Sequence, residues 1–279
     1  GPPAAGAGVT VSSLGPSLAG RIQPDVVAPG VGMCSGLAEE ARNPAGPSCL
    51  TGAHADGNSY YMALSGTSQA TAIASGVAGL TREFIREQAG VSAPSSSLVK
   101  AAMINGARDL GAADIPNPAE GWGEINLERT VMPMDGSTPL DTFFDDRKVL
   151  APGFGLLYSF SIDPSHGVDL TLAWTDEAGS ANAAQSQGRL VNNLDLVLVD
   201  PDGREWIGND FSQGFSVPPP NGGGSSGTAD AVNNVERIRI APGTLASGSG
   251  NWVVKVLHSG GTDQDFALVM SAVATPTPQ

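Results

Sequence analysis

The sequence predicts an α/β unit followed by an antiparallel β-sandwich, and two observations carry that reading. In the first part, the apolar positions repeat at helical spacing around one long stretch of very small residues. Beyond about residue 142 the repeat shortens to two, with turn residues between short strands and no helix among them. The turn-rich stretch 133–142, containing Asp135-Gly136-Ser137-Thr138-Pro139, reads as a linker. The expected units are therefore 1–132 and 143–274, with a Pro/Thr tail over 275–279.

Taken in order, residues 1–20 are rich in Gly, Ala, Pro and Ser, with a strand expected near Val9–Ser12. Val26–Ala28 reads as a short buried strand bounded by Pro24 and Pro29-Gly30, and Tyr60–Ser65 as a short apolar strand. A long helix is expected from about Ser68 to Gln88, ending at Gly90. Inside it Gly76 and Gly79 each cost roughly 0.5–1 kcal/mol, which close backbone packing in a buried central helix would explain. A second helix is expected over about Ser96–Ala107, started by Pro94 and Ser95–Ser97 and carrying the stripe Leu98, Ala101, Ala102 and Ile104. In the second unit strands are expected at Leu156–Ile162, Val168–Trp174, Leu194–Val199, Val235–Ile240, Trp252–Leu257 and Phe266–Ala272. Turns at 163–167, 200–203 and 241–243 separate several of them, while Pro218–Gly227 and Thr275–Gln279 read as flexible loop and tail.

Acidic residues number 28 against 14 basic ones, giving a formal net charge of −14. That balance opposes nucleic acid and anionic membrane as partners. No run of 18 or more apolar residues exists, so no membrane-spanning helix is expected. The chain is expected to be a monomer.

Ser68 stands where a loop tips into the small-residue helix, in Gly66-Thr67-Ser68-Gln69-Ala70-Thr71. Free backbone N–H groups and the positive end of the helix dipole suit a nucleophile whose reaction creates an oxyanion. For an isolated serine the alternative is a plain helix cap. The stretch resembles the nucleophile motif of the subtilisin-like serine proteases (subtilases), with Ala72 where that motif has proline. Ser12-Ser13-Leu14-Gly15-Pro16 and Gly20 through Gly30, the latter containing Pro24-Asp25-Val26-Val27-Ala28-Pro29, resemble two further stretches of the same family. Gly121-Trp122-Gly123-Glu124-Ile125-Asn126 resembles the signature near the end of its catalytic domain. Ala173–Asp176, Val191–Leu196, Gly208–Asp210 and Asn233–Glu236 resemble the β jelly-roll domain that follows in one group of bacterial subtilases.

The resemblance implies an incomplete doubly wound subtilisin-like catalytic domain, then a jelly roll. It makes Ser68 the nucleophile acting on polypeptide substrates, with Ser13, Leu14, Gly15, Leu64, Ser65, Gly66 and Thr67 along the substrate cleft. The family's D-[ST]-G, H-G-T and oxyanion-asparagine segments do not occur in these 279 residues. They are expected in an upstream N-terminal half of the catalytic domain, which would be this chain's partner. Of the three histidines only His54 precedes Ser68, in the polar run 51–58, and it reads as an ordinary loop residue.

Cys34 and Cys49 bracket an irregular insertion between family motifs, and a disulfide between them is expected, the alternative being two unpaired thiols. Such a bridge closes a loop worth on the order of 3 kcal/mol and fits an oxidising, secreted setting. The family's structural calcium, a hard cation taking oxygen ligands, directs attention to Asp176, Asn193, Asp195, Asp210 and Asn234, all near predicted strand ends. Plain strand-edge polarity is the competing explanation. The functional expectation is the C-terminal part of a secreted serine endopeptidase, inactive on its own. The competing class is a β-sandwich module, with a disarmed protease remnant, that binds calcium or another ligand without turnover.

Overall fold

The computed structural model describes residues 12–41, 49, 60–184, 186–220, 224–244 and 250–277. Residues 9–11 of the expected first strand, His54 and the rest of the run 51–58 lie outside these. Met33–Gly36 (β1) pairs antiparallel with Tyr61–Leu64 (β2), Met33 opposite Leu64, and β2 leads into the helix Thr67–Gln88 (α1). The N–H of Ala89 caps α1 on the Ile85 carbonyl, and Gly90 follows at φ 71°, a left-handed conformation that favours glycine. Ser96–Asn105 (α2) starts at Ser95, whose hydroxyl accepts the Leu98 N–H, and Leu127–Val131 (α3) starts at Asn126, whose side chain accepts the Arg129 N–H. The strand expected at Val26–Ala28 is reduced to a single bridge between Val27 and Glu124. Pro24 and Pro29 on either side lack the N–H that would extend a ladder.

Met134–Asp135 (β3) and Thr138–Pro139 (β4) make a small hairpin inside the expected linker. Twelve strands follow: Asp141–Leu150 (β5), Gly155–Ile162 (β6), Val168–Ala173 (β7), Asn193–Val199 (β8), Arg204–Ile207 (β9), Phe211–Ser212 (β10), Phe215–Ser216 (β11), Gly224–Ser225 (β12), Val235–Ile240 (β13), Gly250–Gly260 (β14), Gln264–Ala272 (β15) and Ala274–Pro276 (β16). They form a six-stranded sheet in the order β12-β9-β8-β14-β6-β16 and a four-stranded sheet in the order β13-β7-β15-β5, with β10–β11 a separate hairpin. Every pairing in the two larger sheets is antiparallel except β12 with β9. Phe160, Leu196 and Trp252 of one sheet and Leu170, Ile238 and Leu268 of the other belong to one buried cluster. The tail and the Pro218–Gly227 loop thus contribute strand residues, β16 supplying a partner to the edge of β6 and β12 to β9.

The outer face of the four-stranded sheet is covered by α2. Leu98, Ala101, Ala102 and Ile104 pack with Ile85 and Trp122 against Ala173, Val235, Ala267 and Val269. Asn105 donates to Ser271 Oγ at 2.9 Å and accepts from Thr171 Oγ1 at 3.0 Å, and Ser95 binds the Asp146 carboxylate through both its N–H and its hydroxyl. The helical part and the four-stranded sheet therefore share a second buried cluster, beside the one between the two sheets. The long helix departs from expectation in the other direction. Only Thr81 and Ile85 of α1 are buried, and a Cβ added at Gly76 or Gly79 meets nothing within 4 Å. Among the described residues α2 and α3 pack most closely on α1, and its small-residue half is left open.

Candidate active site

Ser68 is the second residue of α1, and its position is fixed by backbone on both sides. The Gly66 N–H donates to the Gly30 carbonyl at 2.8 Å, and the Gly32 N–H donates to Ser65 Oγ at 2.9 Å. A side chain at Gly30 would meet the Gly66 oxygen at 2.7 Å, so glycine is required for this approach. Gly66 caps the helix without a side chain, and its carbonyl accepts from Gln69 and Ala70. The N–H groups of Thr67 and Ser68 have no acceptor among the described residues, and the exposed Ser68 hydroxyl has no hydrogen-bond partner there either. The Ser68 hydroxyl thus stands at the positive end of a 22-residue helix, beside two N–H groups that have no acceptor among the described residues.

Leu64, Ser65, Gly66 and Thr67 form one continuous approach to Ser68, with Leu64 47% exposed. Ser13, Leu14 and Gly15 are anchored differently: the Gly15 N–H donates to the Pro118 carbonyl, and Leu14 is 66% exposed. No hydrogen bond among the described residues joins them to the helix start. Behind these segments, Gly121 through Asn126 wedges between two strands of chain. The Trp122 N–H donates to Asp25 O, the Ile125 N–H to Val27 O, and Arg108 and Glu124 exchange both backbone bonds. Trp122 is buried, and Asn126 caps α3.

The two described histidines are engaged far down the chain from Ser68. His166 Nδ1 lies 3.0 Å from Asp135 Oδ2, and buried His258 contacts the carbonyls of Leu150 and Gly260 through its two ring nitrogens. Cys34 and Cys49 are joined, with Cα atoms 5.7 Å apart.

Residues 4–123 match the family model described as the subtilase family. These residues belong to the subtilase family. The chain is also similar to "Serine protease/ABC transporter B family protein tagA" of Dictyostelium discoideum, 32% identical over 257 residues that cover 85% of this chain and 14% of that protein. The tagB protein of the same name and organism is 29% identical over 288 residues, covering 83% of this chain and 14% of its own length. The chain thus spans about one seventh of the length of these relatives. Among solved structures, a Bacillus licheniformis lipase, BlEst2 in propeptide form, overlaps with a TM-score of 0.26 at 12% identity over 50% of this chain and 24% of that one, too slight a likeness to bear on the fold. Among the described residues, no helix is long and apolar enough to cross a membrane.

The five residues considered for calcium are dispersed. Asp176 accepts the N–H groups of Val191 and Asn192 and lies 3.7 Å from Arg21. It lines, with Asn234, a cleft of about 360 Å³ where α2 meets β7, and Asn234 donates to the Trp174 carbonyl. Asn193 and Asp195 do meet, Nδ2 donating to Oδ1 at 3.2 Å, and the second Asp195 oxygen accepts the Ser259 hydroxyl. Burial pushes the Asp195 carboxyl up, and buried Glu236 is pushed well above the usual range, first by burial and then by the charges of Asp195 and Asp230. Asp210 lies apart, one oxygen buried without a partner among the described residues. The sequence reading passed over a different group, Asp109, Asp114 and Glu120, within the subtilase-matching segment. Its only signal is four oxygen-bearing side chains, counting Asn117, in one short loop.

Proposed function

We propose that this chain is the C-terminal part of a secreted subtilisin-like serine endopeptidase, with Ser68 as its nucleophile. Ser68 Oγ attacks the scissile carbonyl and forms an acyl-enzyme, and its own N–H binds the oxyanion. Leu64 through Thr67, with Ser13, Leu14 and Gly15, line the substrate polypeptide. The general base and the carboxylate that orients it come from polypeptide outside these 279 residues. The observation that carries this reading is the exposed Ser68 hydroxyl, without a hydrogen-bond partner among the described residues, beside two N–H groups likewise unaccepted there at the start of α1. The engagement of His166 and His258 with Asp135 and with backbone carbonyls supports an external base. The Cys34–Cys49 bridge supports an extracellular setting. Residues 143–274 act as an appended jelly-roll module in which calcium near Asn193 and Asp195 would relieve the crowding of the Asp195 and Glu236 carboxyls.

A serine without an adjacent base is a weak nucleophile. The isolated chain should therefore label poorly at Ser68 with a fluorophosphonate probe. A longer polypeptide that adds the upstream segment should label stoichiometrically, and there Ser68→Ala should lower kcat by roughly five to six orders of magnitude without changing the melt. Rapid labelling of the isolated chain would refute the external base. An unlabelled longer polypeptide would refute the protease.

A further inference from the structure

Ser68 is approached through chain that carries no charge. Between Val26 and Ala38, and again between Tyr60 and Thr81, there is no Asp, Glu, Lys or Arg, although the whole chain has 28 acidic and 14 basic residues. β1 and β2 lie inside those two stretches. In their ladder Met33 stands opposite Leu64 and Ser35 opposite Met62, so the two-residue alternation puts Met33, Met62 and Leu64 on one face of the hairpin. The fold does not use that face. Leu64 is 47% exposed, and Val31, two residues ahead of β1, is 69% exposed. Among the described residues neither strand packs closely on a helix or on any other strand.

The hairpin is also fixed relative to the helix start. The Gly32 N–H donates to Ser65 Oγ and the Gly66 N–H to the Gly30 carbonyl, so the chain entering β1 is bonded to the chain leaving β2. Four residues of chain span at most about 14 Å, which bounds the distance from Leu64 to Ser68. An extended polypeptide advances about 3.3 Å per residue. A side chain resting on Leu64 therefore belongs to a residue within about four of the carbonyl that Ser68 would attack. An apolar side chain laid there removes its own surface and that of Leu64 from water, whereas a charged one loses solvation with no partner to replace it. We propose that the β1–β2 hairpin is a specificity subsite for a bulky uncharged side chain of the substrate, with Leu64 at its centre, an inference that rests on Ser68 being a peptidase nucleophile. Methionine is unbranched and adapts its shape, so Met33 and Met62 select a class of side chain and not a single one. The substrates are polypeptides with Leu, Met or Phe close to the cleaved bond, and acidic or basic residues at that place are refused.

Binding is tested on the full 279-residue chain, labelled at its methionine methyl groups and followed by NMR. The probes are acetylated, amidated alanine pentapeptides carrying Leu, Glu or Lys at the third position. The Leu peptide should shift the Met33 and Met62 methyl signals saturably, and the Glu and Lys peptides should need at least about ten times the concentration. Leu64→Asp should abolish the response. Turnover is tested on a longer polypeptide that adds the upstream segment, with substrates carrying the same three side chains. There Leu64→Lys should lower kcat/KM for the Leu substrate at least about tenfold and raise it for the Glu substrate, a crossover that damaged folding does not produce. Equal shifts with all three peptides, or none with the Leu peptide at about 5 mM, would overturn the subsite. So would hydrolysis whose preference is unmoved by Leu64→Lys. Shifts of the same methyls on dilution alone would overturn it too, because a second copy of the chain would then cover the hairpin. A longer polypeptide that cleaves none of the substrates counts against the protease reading, and the methyl titration still decides the subsite.

Discussion

Gly121 and Gly123 lace residues 24–27 to residues 108–109 by having no side chain. Gly121 sits at φ 60°, and a Cβ there would overlap the Pro24 carbonyl oxygen; Gly123 sits at φ 110°, where a Cβ would overlap the Arg108 carbonyl. Between them Trp122 is 1% exposed and stacks edge-on with Phe211 at 5.6 Å. Neither carbonyl can retreat, because both neighbouring segments are bonded to this one. Gly121→Ala should therefore destabilise the chain by more than about 2 kcal/mol in urea melts, combining a strained φ with a backbone collision. A loss below about 0.5 kcal/mol would mean the loop yields. These glycines were legible in the sequence as a motif, and so was the placing of Ser68 at a helix start, because both are set by near neighbours in the chain. Asp109 was not. Its carboxylate oxygens lie against Gly214 of the β10–β11 turn, far along the chain, and no local pattern marks a carboxylate that a distant turn approaches.

Among the elements, regular strands were readable where one face is buried and the two-residue alternation survives. The expected Val235–Ile240 coincides with β13, and the expected Phe266–Ala272 falls inside β15. β5 was missed. Its second half reads Asp145-Asp146-Arg147-Lys148, and Arg147 is bulged at φ 58° where the register to β15 shifts, which breaks the alternation. Those acids are used by distant partners, Asp145 by the Tyr158 hydroxyl and Asp146 by Ser95. The long helix was placed within one residue, yet its expected burial was read from Gly76 and Gly79, which lie open here. With nothing packed on them, the glycines retain only their cost in backbone entropy. Gly76→Ala and Gly79→Ala should each stabilise this chain by about 0.5–1 kcal/mol in denaturant melts. Destabilisation by either would show that something presses on that face in solution.

At the scale of the whole molecule, the helical part and the strands share a packed face, so the chain should unfold as one cooperative body. β15 is buried along nearly its whole length, with Leu268 and Met270 in the core between the sheets and Ala267 and Val269 under α2. Polar groups seal the same seam. Arg237, fully buried, donates to the Asn105 carbonyl at 3.1 Å and to Asp169 at 2.9 Å, and the Asn233 side chain accepts the Ile22 N–H at 2.8 Å. Asn105 is the hinge pin: 5% exposed at the end of α2, it satisfies the hydroxyls of Thr171 and Ser271, themselves 0% and 4% exposed. Asn105→Ala leaves two buried hydroxyls without that partner and a small void, a loss of about 2–4 kcal/mol. If the helical part were a detachable cap, that loss would be confined to it. A shared core instead requires the amides of α2 and those of β14, on the far sheet, to lose the same opening free energy. Native-state hydrogen exchange on wild type and Asn105→Ala makes the comparison directly. Equal drops in both elements mean a single folding unit, and a drop in α2 with β14 unchanged would return the chain to two domains joined by a contact.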